Sequence, residues 1–287
     1  LLSLAVGVLL LLQGVSIAAQ ERPALWKAEE GQSTVYFLGT IHLMTEEIQW
    51  FEGAIEDAFR SSDTLIVEVN TSAISRKEQV ASIRELAILP SDQKLSDIIT
   101  EQQMTRLEEL LQPAGVSKRV IQQWRPWYAG LTATGFAARQ AGFHSKYGVD
   151  IQLLKKARKR GMEIRQLETF REQLEMFSQL NREEASYFLR DSLEKQDEMQ
   201  ELFKRLNENW LRADLSDLKS LLLESREENR SFYETVYVER NRRWLPDIEQ
   251  LLEEPGTHFV AVGTGHLIGE DGIVAMLKEK DIPVSRR

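Results

Sequence analysis

Four histidines occur in these 287 residues, His42, His144, His258 and His266, and two of them close the same phrase. Gly39-Thr40-Ile41-His42 follows the apolar run YFL, and Gly263-Thr264-Gly265-His266 follows VAV. One copy alone carries little weight, because glycine turns are common after strands and histidine also caps helices. Two copies, using half the histidines of the chain, point to one shared site. Glu68 interrupts the apolar stretch Leu65–Val69, where an unpaired carboxylate is costly. It either serves the site or pairs with a buried arginine. Glu168 closes a weaker apolar stretch, Met162–Leu167. Two imidazoles and a carboxylate make a metal set: Zn²⁺ would take His42, Glu68, His266 and a water, and Mn²⁺, Fe²⁺ or Co²⁺ accepts the same donors. Such an ion acidifies its water and polarises a carbonyl, the requirement of amide or ester hydrolysis. Without metal, the same residues would act as a histidine base oriented by a glutamate. Neither HExxH nor GxSxG occurs. Arg240 and Asn241 lie in a stretch that is otherwise apolar in helical period (Tyr233, Val236, Tyr237, Trp244). They are either solvated or catalytic, turned toward a substrate carboxylate or carbonyl oxygen. His144 and His258 lack such a context and are expected to be structural or superficial.

Strands must deliver these groups. Residues 34–38 predict a strand stopped by Gly39, residues 50–62 a helix, and residues 64–70 a second strand. The last is apolar on both faces until its end, which predicts an interior, parallel position. Residues 162–167 and 258–262 add two more strands. Both histidines then fall four residues past a strand end, with Glu68 and Glu168 at the ends of two others. Ligands in open α/β sheets sit beyond the carboxyl ends of strands. His42, Glu68 and His266 are therefore expected together at one edge, with Gly39 and Gly263 in the turns and Asp150 and Glu168 as a surrounding wall. Asp150 opens a helix that runs to Lys159 and stops at Gly161, so it is either a cap or part of the site. The expected fold is α/β: a mixed central sheet with an internally duplicated strand–turn–His unit and a large helical insertion spanning roughly 90–245, all in one domain over 19–287.

Acidic residues outnumber basic ones 45 to 36, for a net charge of −9, which excludes the basic footprint of a nucleic-acid binder. Residues 1–18 are apolar and end in Ser16-Ile17-Ala18, the pattern of a secretory signal cleaved after Ala18; an uncleaved anchor is the alternative. A secreted or periplasmic protein, free of the membrane after cleavage, is expected. There is no cysteine, so neither a disulfide nor a lipid-bearing cysteine is available.

Seven segments together resemble the TraB/GumN family, which includes the Tiki-like metalloproteases: LGTIHL at 38–43, IVEV at 66–69, RPWYA at 125–129, GVD at 148–150, LET at 167–169, ERN at 239–241 and VGTGHLIGEDGI at 262–273. The resemblance spans Pro23 to Val284, and departs from the family's usual Lys-Pro-Trp at Arg125-Pro126-Trp127. It implies a duplicated α/β core related to the erythromycin-esterase and ChaN-like fold. It also implies an active centre of the two GxxH histidines and the Glu68 carboxylate, and a metal-dependent peptidase using Mn²⁺ or Co²⁺ on a peptide or protein substrate. A metal-free esterase, a haem- or metal-binding module and an export-associated factor stay open beside it.

Overall fold

Ser33–Thr40 (β2) and Gly256–Gly263 (β5) carry the repeated phrase, and in the computed structural model they are hydrogen-bonded parallel neighbours. The structure describes residues 22–46 and 48–287, and the signal segment expected at 1–18 lies outside them. On the far side of β5 lies Thr64–Val67 (β3), and beyond it Glu163–Gln166 (β4), both parallel to it. All four residues of β3 are buried, as its two-sided apolar pattern requires. β4 is the edge strand, and its Arg165 pairs with Glu163 and Glu254, charges that discourage further strand pairing.

Two strands join from the other side. Leu25–Glu30 (β1) pairs antiparallel with β2 and with Val284–Arg286 (β6), so the order is β4-β3-β5-β2-β1-β6. The sheet is mixed, with a parallel centre and an antiparallel flank.

Gly53–Ser61 (α1) connects β2 to β3. Then come Arg76–Leu86 (α2), Glu101–Leu111 (α3), Lys118–Ile121 (α4) and Pro126–Gln140 (α5). Val149–Arg160 (α6) returns the chain to β4 and ends at Gly161. A second helical block follows: Phe170–Ser178 (α7), Arg182–Glu194 (α8), Gln196–Leu211 (α9), Leu215–Glu228 (α10) and Arg230–Tyr233 (α11). A π-helical turn, Glu234–Val238, leads into Glu239–Glu253 (α12), and the short helices Thr264–Leu267 (α13) and Ile273–Glu279 (α14) close the chain around β5 and β6. The helical region is thus split, because α6 and β4 belong to the sheet layer between the two blocks. Among the described residues, no helix is long and apolar enough to cross a membrane.

Amphipathic spacing explains the packing. Trp244, Ile248, Leu251 and Leu252 of α12 recur at i, i+4, i+7 and i+8 and join the sheet's buried cluster with Val149, Leu153 and Ala157 of α6. Ile248 is 0% exposed, and Ile248→Ala would cost about 2–5 kcal/mol as a core cavity. The inserted helices have a cluster of their own, including Leu107, Leu111, Ile121, Ala133 and Leu189 from α3, α4, α5 and α8.

Candidate active site

Two glycines let the repeated turns interlock. A Cβ on Gly39 would stand 2.7 Å from Thr264 Oγ1, and Thr264 in turn donates to the Thr40 carbonyl at 3.0 Å. A Cβ on Gly263 would lie 3.1 Å from Glu68 Oε1, 3.5 Å from His266 Cδ2 and 3.8 Å from His42 Nε2. Glu68, His42 and His266 therefore surround one backbone position at the carboxyl edge of the parallel strands. The strands run slightly further than their apolar patterns predict. His42 is two residues past the end of β2, and His266 three past the end of β5, within α13.

Glu68 follows β3 directly and is buried, with Oε1 accepting from Gly263 N at 2.6 Å and Oε2 from Arg240 Nη2 at 2.6 Å. Burial by itself raises a carboxyl pKa, but the Arg240 guanidinium first, then His266, His42 and the Gly263 N–H, outweigh it and hold Glu68 at about 2. Glu168 is tied to the same cation: Arg240 Nη2 donates to its Oε1 at 2.6 Å and Nε to its Oε2 at 3.2 Å, while Arg243 adds a bond of 2.8 Å. Gln173 of α7 reaches both carboxylates, at 3.4 and 3.2 Å. Arg240 is itself buried, so its charge survives only because two carboxylates face it.

The remaining donor of Arg240, Nη1, lies 2.9 Å from His266 Nε2. A guanidinium cannot accept, so Nε2 is the acceptor and the ring proton is assigned to Nδ1, which donates to Asn241 Oδ1 at 2.7 Å. Asn241 Nδ2 then donates to the Asp271 carbonyl at 2.8 Å. Burial, with Arg240 adding to it against the pull of Glu68, drives the His266 pKa down to about 3. The ring is neutral, packed between Tyr237 and Trp244 at centroid distances of 5.3 and 4.5 Å. The π-turn carries Tyr237 onto this face, a distortion of helical phase that recurs at functional sites.

His42 differs. Its side chain is 58% exposed, and Nδ1 stands 3.2 Å from Asp150 Oδ1. Desolvation opposes its protonation, but Asp150 and then Glu68 prevail and raise its pKa to about 9. Asp150 sits in the first turn of α6, whose N-cap is Gly148, so the carboxylate faces the histidine instead of capping the helix. The loop is fixed by Val149 N to Ile41 O at 3.0 Å and Trp210 Nε1 to Gly39 O at 2.7 Å. His144 supports it through paired backbone bonds with Met44, and His258 is buried, with Nε2 3.2 Å from the Glu254 carbonyl.

The donors do not fit a three-point His42–Glu68–His266 metal site as they are seated. His266 Nε2 is occupied by Arg240, both Glu68 oxygens are bonded, and no group of three or more such side chains among the described residues is arranged to hold an ion. What the arrangement offers is an accessible imidazole facing a carboxylate and backed by a buried ionic network. Arg243, Gln173, Tyr237 and Trp244 complete it beyond the residues singled out from the sequence. Arg243 was signalled by its i+3 spacing from Arg240; the others carried no signal beyond apolar or polar periodicity.

This sheet and its paired Gly-Thr-x-His turns define a class, and residues 24–286 match the model of the TraB/PrgY/gumN family, to which the chain belongs. The uncharacterized protein YbaP of Escherichia coli (strain K12) is 25% identical over 256 residues, 89% of this chain and 92% of that protein. An uncharacterized protein of Treponema pallidum (strain Nichols) is 22% identical over 278 residues, 92% of this chain and 83% of its own length. No solved structure matches.

Proposed function

We propose that this chain is an exported hydrolase of amide or ester bonds in peptide-like substrates, with His42 moving the proton. One observation carries the reading: an accessible imidazole is held 3.2 Å from Asp150 at the edge where Glu68 and Arg240 are buried. His42 loses its proton as pH rises through about 9, and in that neutral form it accepts through Nε2 a proton from a water whose oxygen bonds to the acyl carbon, so hydrolysis should rise toward that pH. The C–N or C–O bond then breaks, and the imidazolium returns that proton to the leaving nitrogen or oxygen. Asp150 stabilises the imidazolium, and Glu68 adds a second negative charge. His266 and Asn241 position the network and do not touch the reacting atoms. A neighbouring cavity of about 350 Å³, lined by Leu202, Leu206, Leu222, Tyr237 and Gly265, suits an aliphatic side chain of the substrate. The composition of residues 1–18 supports export, which cell fractionation checks.

A metal-dependent form of the same hydrolysis is favoured by the convergence of His42, Glu68 and His266 on Gly263. For Mn²⁺, Co²⁺ or Zn²⁺ to gain three protein donors there, Arg240 must release His266. The test is cleavage of a mixed peptide library and short-chain esters by parent and His42→Ala protein, with chelator and with each ion, alongside calorimetric titration of the ions. Activity that resists chelation and disappears in His42→Ala supports the metal-free reading. Activity abolished by chelation and restored by one ion replaces it with the metal reading, and no hydrolysis under any condition ends both.

A further inference from the structure

The Arg125-Pro126-Trp127 motif plays no part in the site above, yet it borders a second cavity, of about 290 Å³, at the start of α5. We infer that this cavity binds a carboxylate carried on an apolar body. Trp127 lines it and is 2% exposed, but its indole N–H has no acceptor among the described residues. Arg125 lines it too, and its Nε is likewise buried without a partner. Both groups can only donate, and buried donors are rarely left unmade, so a small turn of either side chain toward the cavity is rewarded by an acceptor placed there. The charge agrees: Lys94, Arg125 and Arg182 border the cavity against one acid, Asp97, whose backbone carbonyl accepts from Arg182 Nη2 at 2.9 Å. This is a positive site on a chain of net charge −9. α5 adds the positive end of a 15-residue helix, with Arg125 at the N-cap and no side chain capping it.

The apolar body follows from the rest of the lining. Leu89, Ile98, Pro126 and Leu180 give a bare inorganic anion nothing to contact, whereas an alkyl chain or aliphatic amino-acid side chain buries against them. The site is separate from the His42 edge. Its lining shares no residue with that edge, and along α7 Ser178 at the cavity stands about 7.5 Å, at ~1.5 Å rise per residue, from Gln173, which reaches Glu68 and Glu168.

Octanoate is the probe, titrated calorimetrically into the full chain, with octanol as the same body without charge and inorganic phosphate as charge without the body. Octanoate is expected to bind at least ~10-fold more tightly than either comparator. Trp127→Phe keeps the ring, removes the donor and should weaken octanoate by about 3–10-fold, and Arg125→Gln should weaken it by ~10-fold or more. Arg182 is exposed, so Arg182→Gln leaves the fold intact and still weakens binding by about 3-fold, which keeps the test open if a buried variant fails to fold. Absence of octanoate binding overturns the inference. So does phosphate or octanol binding as tightly as octanoate, or parental affinity in Arg182→Gln together with whichever buried variants fold.

Discussion

His42 and His266 end the same four-residue phrase on adjacent strands, and their surroundings are opposite. His42 is largely accessible, faces a carboxylate and holds its proton up to about pH 9. His266 is buried against a guanidinium and two aromatic rings, and stays neutral down to about pH 3. Gly-Thr-x-His thus specifies a backbone turn that presents an imidazole, while the helix packed over each copy decides its chemistry. α6 brings Asp150 to one, and α12 brings Arg240 and Asn241 to the other. The two copies of one phrase thus present one accessible, carboxylate-facing imidazole and one buried, neutral imidazole.

The largest break in that asymmetry is removal of the cation. Arg240→Met leaves Glu68 and Glu168 buried without their shared partner and should cost about 3–5 kcal/mol, read by chemical denaturation. A loss below about 1 kcal/mol would mean that the carboxylates find solvent instead, and that the network is not as buried as described.

Separating the histidines comes next. His266→Ala strands Arg240 Nη1 and Asn241 Oδ1, so stability should fall by about 1–3 kcal/mol. His42→Ala, at a largely exposed position, should cost less stability than His266→Ala, and only below about pH 9 where its imidazolium faces Asp150, while lowering hydrolysis by about 10²–10⁴-fold. Equal destabilisation by the two variants would erase the distinction.

Stability against pH sharpens it, because the two rings act with opposite sign. The folded pKa of His42 is raised, so its contribution is complete below the unfolded value near 6.5 and is lost as pH rises through about 9. The folded pKa of His266 is depressed, so its contribution is complete above about 6.5 and is lost as pH falls toward about 3. Glu68 adds a further loss below about 4.5, completed near 2. From these groups the melting temperature should peak close to pH 6.5. Asp150→Asn removes the largest cause holding His42 up, so its imidazole titration, followed by NMR, should move down from about 9. A titration unchanged in that variant would dissociate Asp150 from His42.

Arg243 gives the smallest effect. It is half exposed and only supplements Arg240 on Glu168, so Arg243→Gln should cost about 0–1 kcal/mol in denaturation. A larger loss would move weight from the buried arginine to the superficial one.

Much of this was legible from residue patterns. The apolar runs before Gly39, Glu68, Glu168 and Gly263 are the four parallel strands, and the groups at their ends do gather at one edge. β1 was not legible, because LWKAEE carries charge and lies toward the antiparallel flank, where apolar alternation fades. The partner of Glu68 was foreseen only in kind: periodicity marks a residue as buried, but an Arg240 bond spanning 172 positions depends on how α12 lies over the sheet. Helical pattern likewise could not separate α6, which packs on the sheet, from the inserted helices around it.

The place of β5 also governs how the chain can acquire its shape during synthesis. β5 lies between β3 and β2, so the parallel strands made first cannot pair with one another across the gap it fills. Until residue 263 has been made, β1 and β2 can form their hairpin and β3 can meet β4, but the two halves have no common sheet. Closure therefore waits for β5 to pair with β2 and β3, strands far from it in sequence, a high-contact-order event that slows folding. A chain built this way keeps both edges of the gap unpaired until β5 has been made, a long interval in which those edges are open to other partners.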